Sequence, residues 1–368
     1  MSGAVIRECG VQSDEKLTGR SPRSHARTTI ADVAKLAGVS SMTVSNVLNR
    51  RPNAGPAVQE AVMAAVRQLN YIPNREAKRL AGAQALRIGI LYTNAATAFV
   101  GTVLVGALNA SARMGAELIV EGADPDDLAG MLTSLQRLHR SGVNGLLLPP
   151  PIAESVAGAG WLEQIGLPAV AVSPGAALPG LPSARCDERR AASDLTRLLL
   201  DRGHVRVGLI GGPKTHSAAA QREQGYRDAM ASAGITVDPD MVEAGDFTFE
   251  GGTRAAERML ARTKRVDAIF AANDASACGV LAVAHRLGLD VPGALSVVGY
   301  DDTPVAQQVW PTLTTVRQNT TLMAETAMTM LADLIAARSR GVAGPRDQLV
   351  PYEIVERSSV RRSNVQTA

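Results

Sequence analysis

Residues 28–50 read TTIADVAKLAGVSSMTVSNVLNR, with apolar positions at helical spacing on either side of a break at Gly38-Val39-Ser40. Thr29, with Asp32 three residues on, makes a capping-box-like start for a first helix over about 30–37, which presents Ile30, Val33, Ala34 and Ala37 on one face. Gly38 can take the positive φ of a tight turn. Ser40 then caps a second helix over about 41–49, whose Val44, Val47 and Leu48 face one way. Two short helices joined by such a turn read as a helix-turn-helix. In that geometry Ala34 lets the helices approach, and Val39, Val44 and Val47 fix the angle between them. Ser41, Met42, Ser45, Asn46 and Asn49 are left pointing outward. That face is small and polar, without Glu or Lys, and is sized for a DNA major groove. A plain helical hairpin is the competing reading of the pattern alone. A third amphipathic helix is expected over about 56–70, with Pro56 at its first position and Gly55 as a weaker cap.

The charge distribution favours the groove. The chain has 368 residues and a formal net charge of +3, but residues 1–83 hold 12 Lys/Arg against 6 Asp/Glu, and the remainder holds 26 against 29. A basic head on a mildly acidic body places any polyanion at the head. Residues 1–28 are polar and without periodicity, a disordered extension that lacks the apolar core of a secretory signal. No apolar run approaches the ~18 residues that span a bilayer, so no membrane partner is expected and the expected setting is cytoplasmic. Cys9, Cys186 and Cys278 form no C-x-x-C pair, which excludes a disulfide framework and a thiolate zinc site.

From Arg87 the texture changes to short apolar strands alternating with helices. Strand-like runs fall at 87–92, 117–121, 145–149, 169–173, 206–210, 267–271 and 295–300. Helical segments fall at about 100–114, 126–140, 188–201, 221–233, 250–263, 275–286 and 320–336. This alternation means parallel sheets covered on both faces, and so many units exceed one doubly wound sheet, so two similar lobes are expected. Open α/β sheets bind ligands beyond the carboxyl ends of their strands. That makes candidates of Thr93, Asn94, Asn273 and Asp301, with Arg222 opening the helix after the Gly211-Gly212-Pro213 loop. Each also has a structural reading: a salt-bridge partner for Arg222, and helix caps for Asn273 and Asp301.

The runs TIADVAKLAGVS (29–40), TVS (43–45) and VLN (47–49) resemble the head of the LacI/GalR family of bacterial transcription regulators. The resemblance continues through LNYIPN (69–74) and REAKRLA (75–81). It resumes at RGHVRVGLIGG (202–212), AND (272–274), SVVGYDD (296–302) and PTLTTVRQ (311–318), and so spans about 29–360. It implies an α/β fold: an N-terminal helix-turn-helix head and a two-lobed periplasmic-binding-protein-like body with two doubly wound parallel sheets. The domains implied are an extension over 1–28, the head over 29–73, a hinge helix and linker over 74–85 and a body over 86–360. The body's N-lobe is about 86–185 with 318–348, and its C-lobe about 186–317 with 349–360.

Ser41, Met42 and Asn46 match base-reading positions of the family; Asn can bond adenine bidentately, and Met offers apolar contact to a thymine methyl. Ser40, Thr43, Ser45 and Asn49 would hold phosphates. Thr29, Asn53, Tyr71, Asn74 and Ala77 complete the implied DNA-contacting set, together with Leu80, which stands where the family has a minor-groove wedge. Departures from the family pattern are Gly55 for a capping Ser or Thr, Gln59 for an Arg, and an unexpected acid, Glu76, in the hinge. In the body, Arg222, Asn273 and Asp301 match effector-contacting positions, and an Arg and an Asp facing each other suit the paired hydroxyls of a sugar. Phe247 matches an aromatic stacking site; Phe99 is expected as the opposite wall, and Trp310 is expected at the cleft. Ser173 stands where some relatives have an acid.

The stretch Gly208–Gly212 lacks a dinucleotide fingerprint. Asp301 and Asp302 are adjacent, so their side chains diverge, which is poor geometry for acid/base catalysis. The five histidines show no metal spacing. The sequence therefore reads as a non-enzymatic, sequence-specific transcriptional repressor without cofactor or metal. Its expected partners are double-stranded operator DNA, bound pseudo-palindromically by a homodimer, and a small effector of the carbohydrate class. The tail after Pro351 lacks the Leu heptads of a tetramerising helix. The rival classes are a stand-alone sugar-binding or sugar-processing protein and a DNA regulator whose partner is a phosphoprotein or a purine-like corepressor.

Overall fold

The structure is a computed structural model that describes residues 28–48, 54–69, 71, 86–93, 97–124, 127–262, 266–342, 344 and 346–362. The chain divides into two compact units, Met1–Gln84 and Ala85–Ala368.

In the first unit, α1 (Ile30–Ala37), α2 (Ser41–Leu48) and α3 (Pro56–Gln68) enclose a small core of Val33, Ala34, Val44, Val47, Val62, Ala65 and Tyr71. The ends of α1 follow from local chemistry. Thr29 Oγ accepts from the Asp32 amide at 3.4 Å, while the Thr29 amide donates to the Asp32 carboxylate at 2.8 Å, closing a reciprocal capping box. Gly38 ends the helix at φ 68°, the left-handed conformation that glycine reaches without a Cβ clash. Ser40 then accepts from the Thr43 amide at 3.1 Å to start α2.

The body begins with β1 (Arg87–Tyr92), α4 (Ala98–Met114), β2 (Glu117–Gly122), α5 (Leu128–Arg140), β3 (Gly145–Leu148), α6 (Ile152–Ala159), α7 (Trp161–Ile165), β4 (Ala169–Val172) and β5 (Ser183–Arg185). Next come α8 (Glu188–Asp201), β6 (Val207–Ile210), α9 (Ser217–Ser232), β7 (Val242–Glu243), α10 (Phe249–Leu260), β8 (Ala268–Ala271), α11 (Asp274–Arg286), β9 (Ser296–Val298) and α12 (Val305–Gln308). The last elements are β10 (Thr315–Gln318), α13 (Thr320–Arg340), β11 (Gln348–Leu349) and β12 (Tyr352–Val355). One six-stranded sheet has the order β11-β5-β4-β3-β1-β2; a four-stranded sheet has the order β7-β6-β8-β9; every pairing within each is parallel. The chain therefore passes between lobes after β5, after β10 and after β11. An antiparallel pair, β10-β12, joins residues whose pairing has no local sequence signature. Helices α6, α7 and α12 and the short strands β5, β7, β10, β11 and β12 have no counterpart in the expected pattern.

The head's core is small, so its caps carry a large share of its stability. Thr29→Ala is expected to cost the head about 1 kcal/mol. In urea the far-ultraviolet dichroism of the head transition should move to lower denaturant while the body transition stays in place.

Candidate functional site

A cavity of about 610 Å³ lies between the two lobes of the body. The carboxyl ends of the parallel strands point into it: Thr93 follows β1, Pro150 β3, Ser173 β4, Pro213 β6, Asn273 β8 and Asp301 β9, and all six line it. Phe99, Arg222 and Phe247 line it as well. The structure thus brings Thr93, Phe99, Arg222, Phe247, Asn273 and Asp301 together around one cavity. Asn94 lies outside the described residues. Trp310 is a correction: it is 89% exposed and is not among the lining residues. Thr303, Pro304 and Val305 touch the cavity, whereas Trp310, two residues beyond the end of α12, faces solvent.

Arg222 is the floor's central group. It projects from α9 and is 5% exposed; its Nε donates to Glu188 Oε2 at 2.8 Å and its Nη1 to the Ala272 carbonyl at 2.6 Å. Nη1 also lies 3.5 Å from Asp301 Oδ1, and the guanidinium stacks 3.7 Å over the Tyr300 ring. Burial works against the charge, but Glu188 and Asp301 outweigh it, so Arg222 stays protonated. Gln318 Nε2 donates to Asp301 Oδ1 at 2.6 Å. Burial, only partly opposed by Arg222, and the nearby Asp274 push the Asp301 carboxyl up to about 7. Asp302 turns the opposite way, to Arg317 at 2.7 Å and Arg357 at 2.6 Å, as expected for adjacent residues. Asn273 is a helix cap that also faces the cavity. Its Oδ1 caps α11 through the Ser276 amide at 2.9 Å, and its Nδ2 donates to the Phe247 carbonyl at 2.9 Å while the residue lines the cavity.

The backbone is strained here. Ser173 (φ 57°), Phe247 (φ 64°) and Asp301 (φ 110°) all line the cavity, and Asp302 (φ 54°) adjoins it. Such conformations cost of order 1–3 kcal/mol each and persist where the surroundings over-determine them. Gly212 makes room for Phe247, since a Cβ there would sit 2.4 Å from its ring. His216, unforeseen in the sequence, lines the cavity edge-on to Phe247 at 5.4 Å between centroids. Burial, then Arg222, lowers its pKa to about 4, so the ring is neutral at pH 7. Glu188 was also missed. Its spacing to Ala191, Ala192, Leu195 and Leu199 puts it on the buried apolar face of α8, which is the signal that could have found it.

In the head, Ser41 and Met42 are exposed on α2, with Met42 at 72%, and Thr43, Ser45 and Asn46 are half-buried beside them. Thr29 and Ser40 are exposed and already cap α1 and α2. Tyr71, expected among the DNA-contacting residues, is 8% exposed and packs in the head core with Val62 and Ala65. Asn49, Asn53, Asn74, Ala77 and Leu80 lie outside the described residues. Among the described residues no group of three His, Cys, Asp or Glu is placed to hold a metal ion, and no helix is long and apolar enough to cross a membrane.

Residues 29–74 match the family model of bacterial regulatory proteins, lacI family, and residues 196–360 match that of the periplasmic binding protein-like domain. The chain is similar to the HTH-type transcriptional regulator CelR of Thermobifida fusca, 32% identical over 85% of this chain and 93% of that protein. It is 33% identical to the ribose operon repressor of Escherichia coli (strain K12), over 90% of this chain and 99% of that protein. Its structure resembles the lac repressor dimer bound to operator and the anti-inducer ONPF, with TM-score 0.68 and 28% identity over 90% and 98% of the two chains.

Two outcomes test the floor. Glu188→Ala leaves Arg222 buried without its closest counter-charge, and should destabilise the body by about 3–5 kcal/mol in denaturant unfolding. Asp301 binds its proton more tightly folded than at its ordinary value of 3.8. Its contribution to stability is therefore fully present below about pH 4 and is lost as pH rises to about 7. Melting temperatures of wild type and Asp301→Asn compared across pH 4–8 should diverge in favour of the variant up to about pH 7 and run parallel above it.

Proposed function

The chain belongs to the lacI family of bacterial regulatory proteins, and from that premise we propose that it is a cytoplasmic, non-enzymatic repressor that binds a pseudo-palindromic operator as a homodimer and releases or tightens its grip when a carbohydrate enters the cleft. The observation that carries the effector reading is the buried Arg222–Asp301 pair on the floor of the interlobe cavity, 3.5 Å apart with Asn273 beside it. A carboxylate and a guanidinium so fixed present an acceptor and a donor to neighbouring hydroxyls, and Phe247 and Phe99 supply apolar surface for a ring.

The groove-reading residues are Ser41, Met42 and Asn46, with phosphates held by Thr29, Ser40, Thr43, Ser45 and Asn49. Leu80 acts as the minor-groove wedge within a hinge over 74–85. The head extends over 29–73 and the body over 86–360. The homodimer reading is supported by apolar side chains left exposed on α4 (Val105 54%, Leu108 52%, Met114 37%) and on the edge strand β2 (Val120 43%).

A thermal-shift screen against mono- and disaccharides, sugar phosphates and nucleobases identifies the effector. A ligand at ~100 times its dissociation constant adds about 2.7 kcal/mol. A sugar hit lost in Asp301→Ala supports the carbohydrate reading; a nucleobase hit overturns it. On the DNA side, Asn46→Ala should relax base preference at one operator position by about 1–3 kcal/mol in a randomised-operator selection. An unchanged preference removes Asn46 from the readers.

A further inference from the structure

The lobes also meet beside the cavity, through three residues that none of the roles above uses. Glu154 lies on α6 and Gly175 follows β4, both in the lobe of the six-stranded sheet. Ser217 opens α9, in the lobe of the four-stranded sheet. Ser217 Oγ donates to Glu154 Oε1 at 2.5 Å and accepts from the Gly175 amide at 2.8 Å, so its donor and one lone pair both reach across the cleft. The backbones abut at this point. A Cβ on Gly175 would stand 2.2 Å from the Ala218 nitrogen and 2.3 Å from the Ser217 carbonyl carbon. Pro150, Ser173, His216 and Ala218, each within four positions of one of the three, line the cavity, so this contact sits at its rim.

We propose that Glu154, Ser217 and Gly175 form a latch that holds the two lobes closed without any ligand, and so sets how much of the body is already closed when effector arrives. The chemistry suits a latch that opens again. Glu154 Oε2 is buried with no hydrogen-bond partner among the described residues. Closure desolvates a carboxylate and returns one short bond to it, so the desolvation cost offsets much of what the bond contributes and the contact is one that can open again. An open body would hydrate both oxygens. A ligand that binds only the closed form has its apparent affinity reduced by the closed fraction, so latch strength tunes the effector concentration at which regulation occurs. That regulatory consequence rests on the effector reading above; the latch itself does not.

The test uses the ligand-free full chain and hydrogen–deuterium exchange read by mass spectrometry. Ser217→Ala strands the Glu154 carboxylate in its buried site. It should raise exchange about five- to tenfold in peptides covering 173–182 and 213–222, the loss expected when an ordinary hydrogen bond is removed. Glu154→Ala removes the acceptor together with its desolvation penalty and should give a smaller rise in the same peptides. Glu154→Gln keeps an oxygen acceptor and should exchange close to wild type. Gly175→Ala, which pries the backbones apart without touching either side chain, should reproduce the Ser217→Ala pattern. Unchanged exchange in those peptides in both Ser217→Ala and Gly175→Ala overturns the latch. So does a uniform rise over all body peptides that tracks a fallen melting temperature. A body that latches but binds no sugar in the screen overturns the effector reading alone.

Discussion

The body depends on the burial of one guanidinium. Arg222, on α9, lies against the ends of β8 and β9, which supply its partners: the Ala272 carbonyl at 2.6 Å after β8, and Asp301 at 3.5 Å and the Tyr300 ring at 3.7 Å after β9. Glu188, from the neighbouring helix α8, adds the closest counter-charge at 2.8 Å. A cation taken out of water at this depth is tolerable only with such a shell. The shell in turn fixes the strand ends that form the cavity floor. The positive φ angles at Asp301 and Asp302 are part of the same constraint. The backbone turns sharply so that one carboxylate reaches Arg222 while the next reaches Arg317 and Arg357.

How much of this was legible depended on how local the cause was. The head's helices begin and end at caps made by residues three or four apart, and Thr29, Asp32, Gly38 and Ser40 state them outright. The cavity's membership was legible because parallel sheets put ligands at strand ends, a topological rule that needs only the order of strands. Glu188 was legible as a member of the apolar face of α8, with Ala191, Ala192, Leu195 and Leu199, but its partner Arg222 lies on another helix, a pairing that no local spacing states. Trp310 was misplaced for a related reason. A lone aromatic beside a family motif invites a role, and only the fold shows that it faces solvent, two residues beyond the end of α12. Tyr71, carried over from the resemblance as a DNA contact, differs in the opposite direction: it packs with six small side chains in the head core, which needs its bulk.

The two lobes contribute unlike surfaces to the cavity. The polar groups of the floor, Arg222, Asp301 and Asn273, belong to the lobe of the four-stranded sheet and are already paired with protein partners, so they are held in place before a ligand arrives and bind without reorganisation. Thr93, Phe99, Pro150 and Ser173 come from the other lobe and complete the cavity only when the lobes are together. A ligand that touches only the floor binds open and closed bodies alike and shifts nothing, however tightly it binds. Coupling must therefore come from contacts with the second lobe. On the effector reading proposed above, changes at Arg222 or Asp301 would act on affinity in both states, whereas changes at Phe99 or Ser173 would act on the difference between them, which is what couples a ligand to a conformational change.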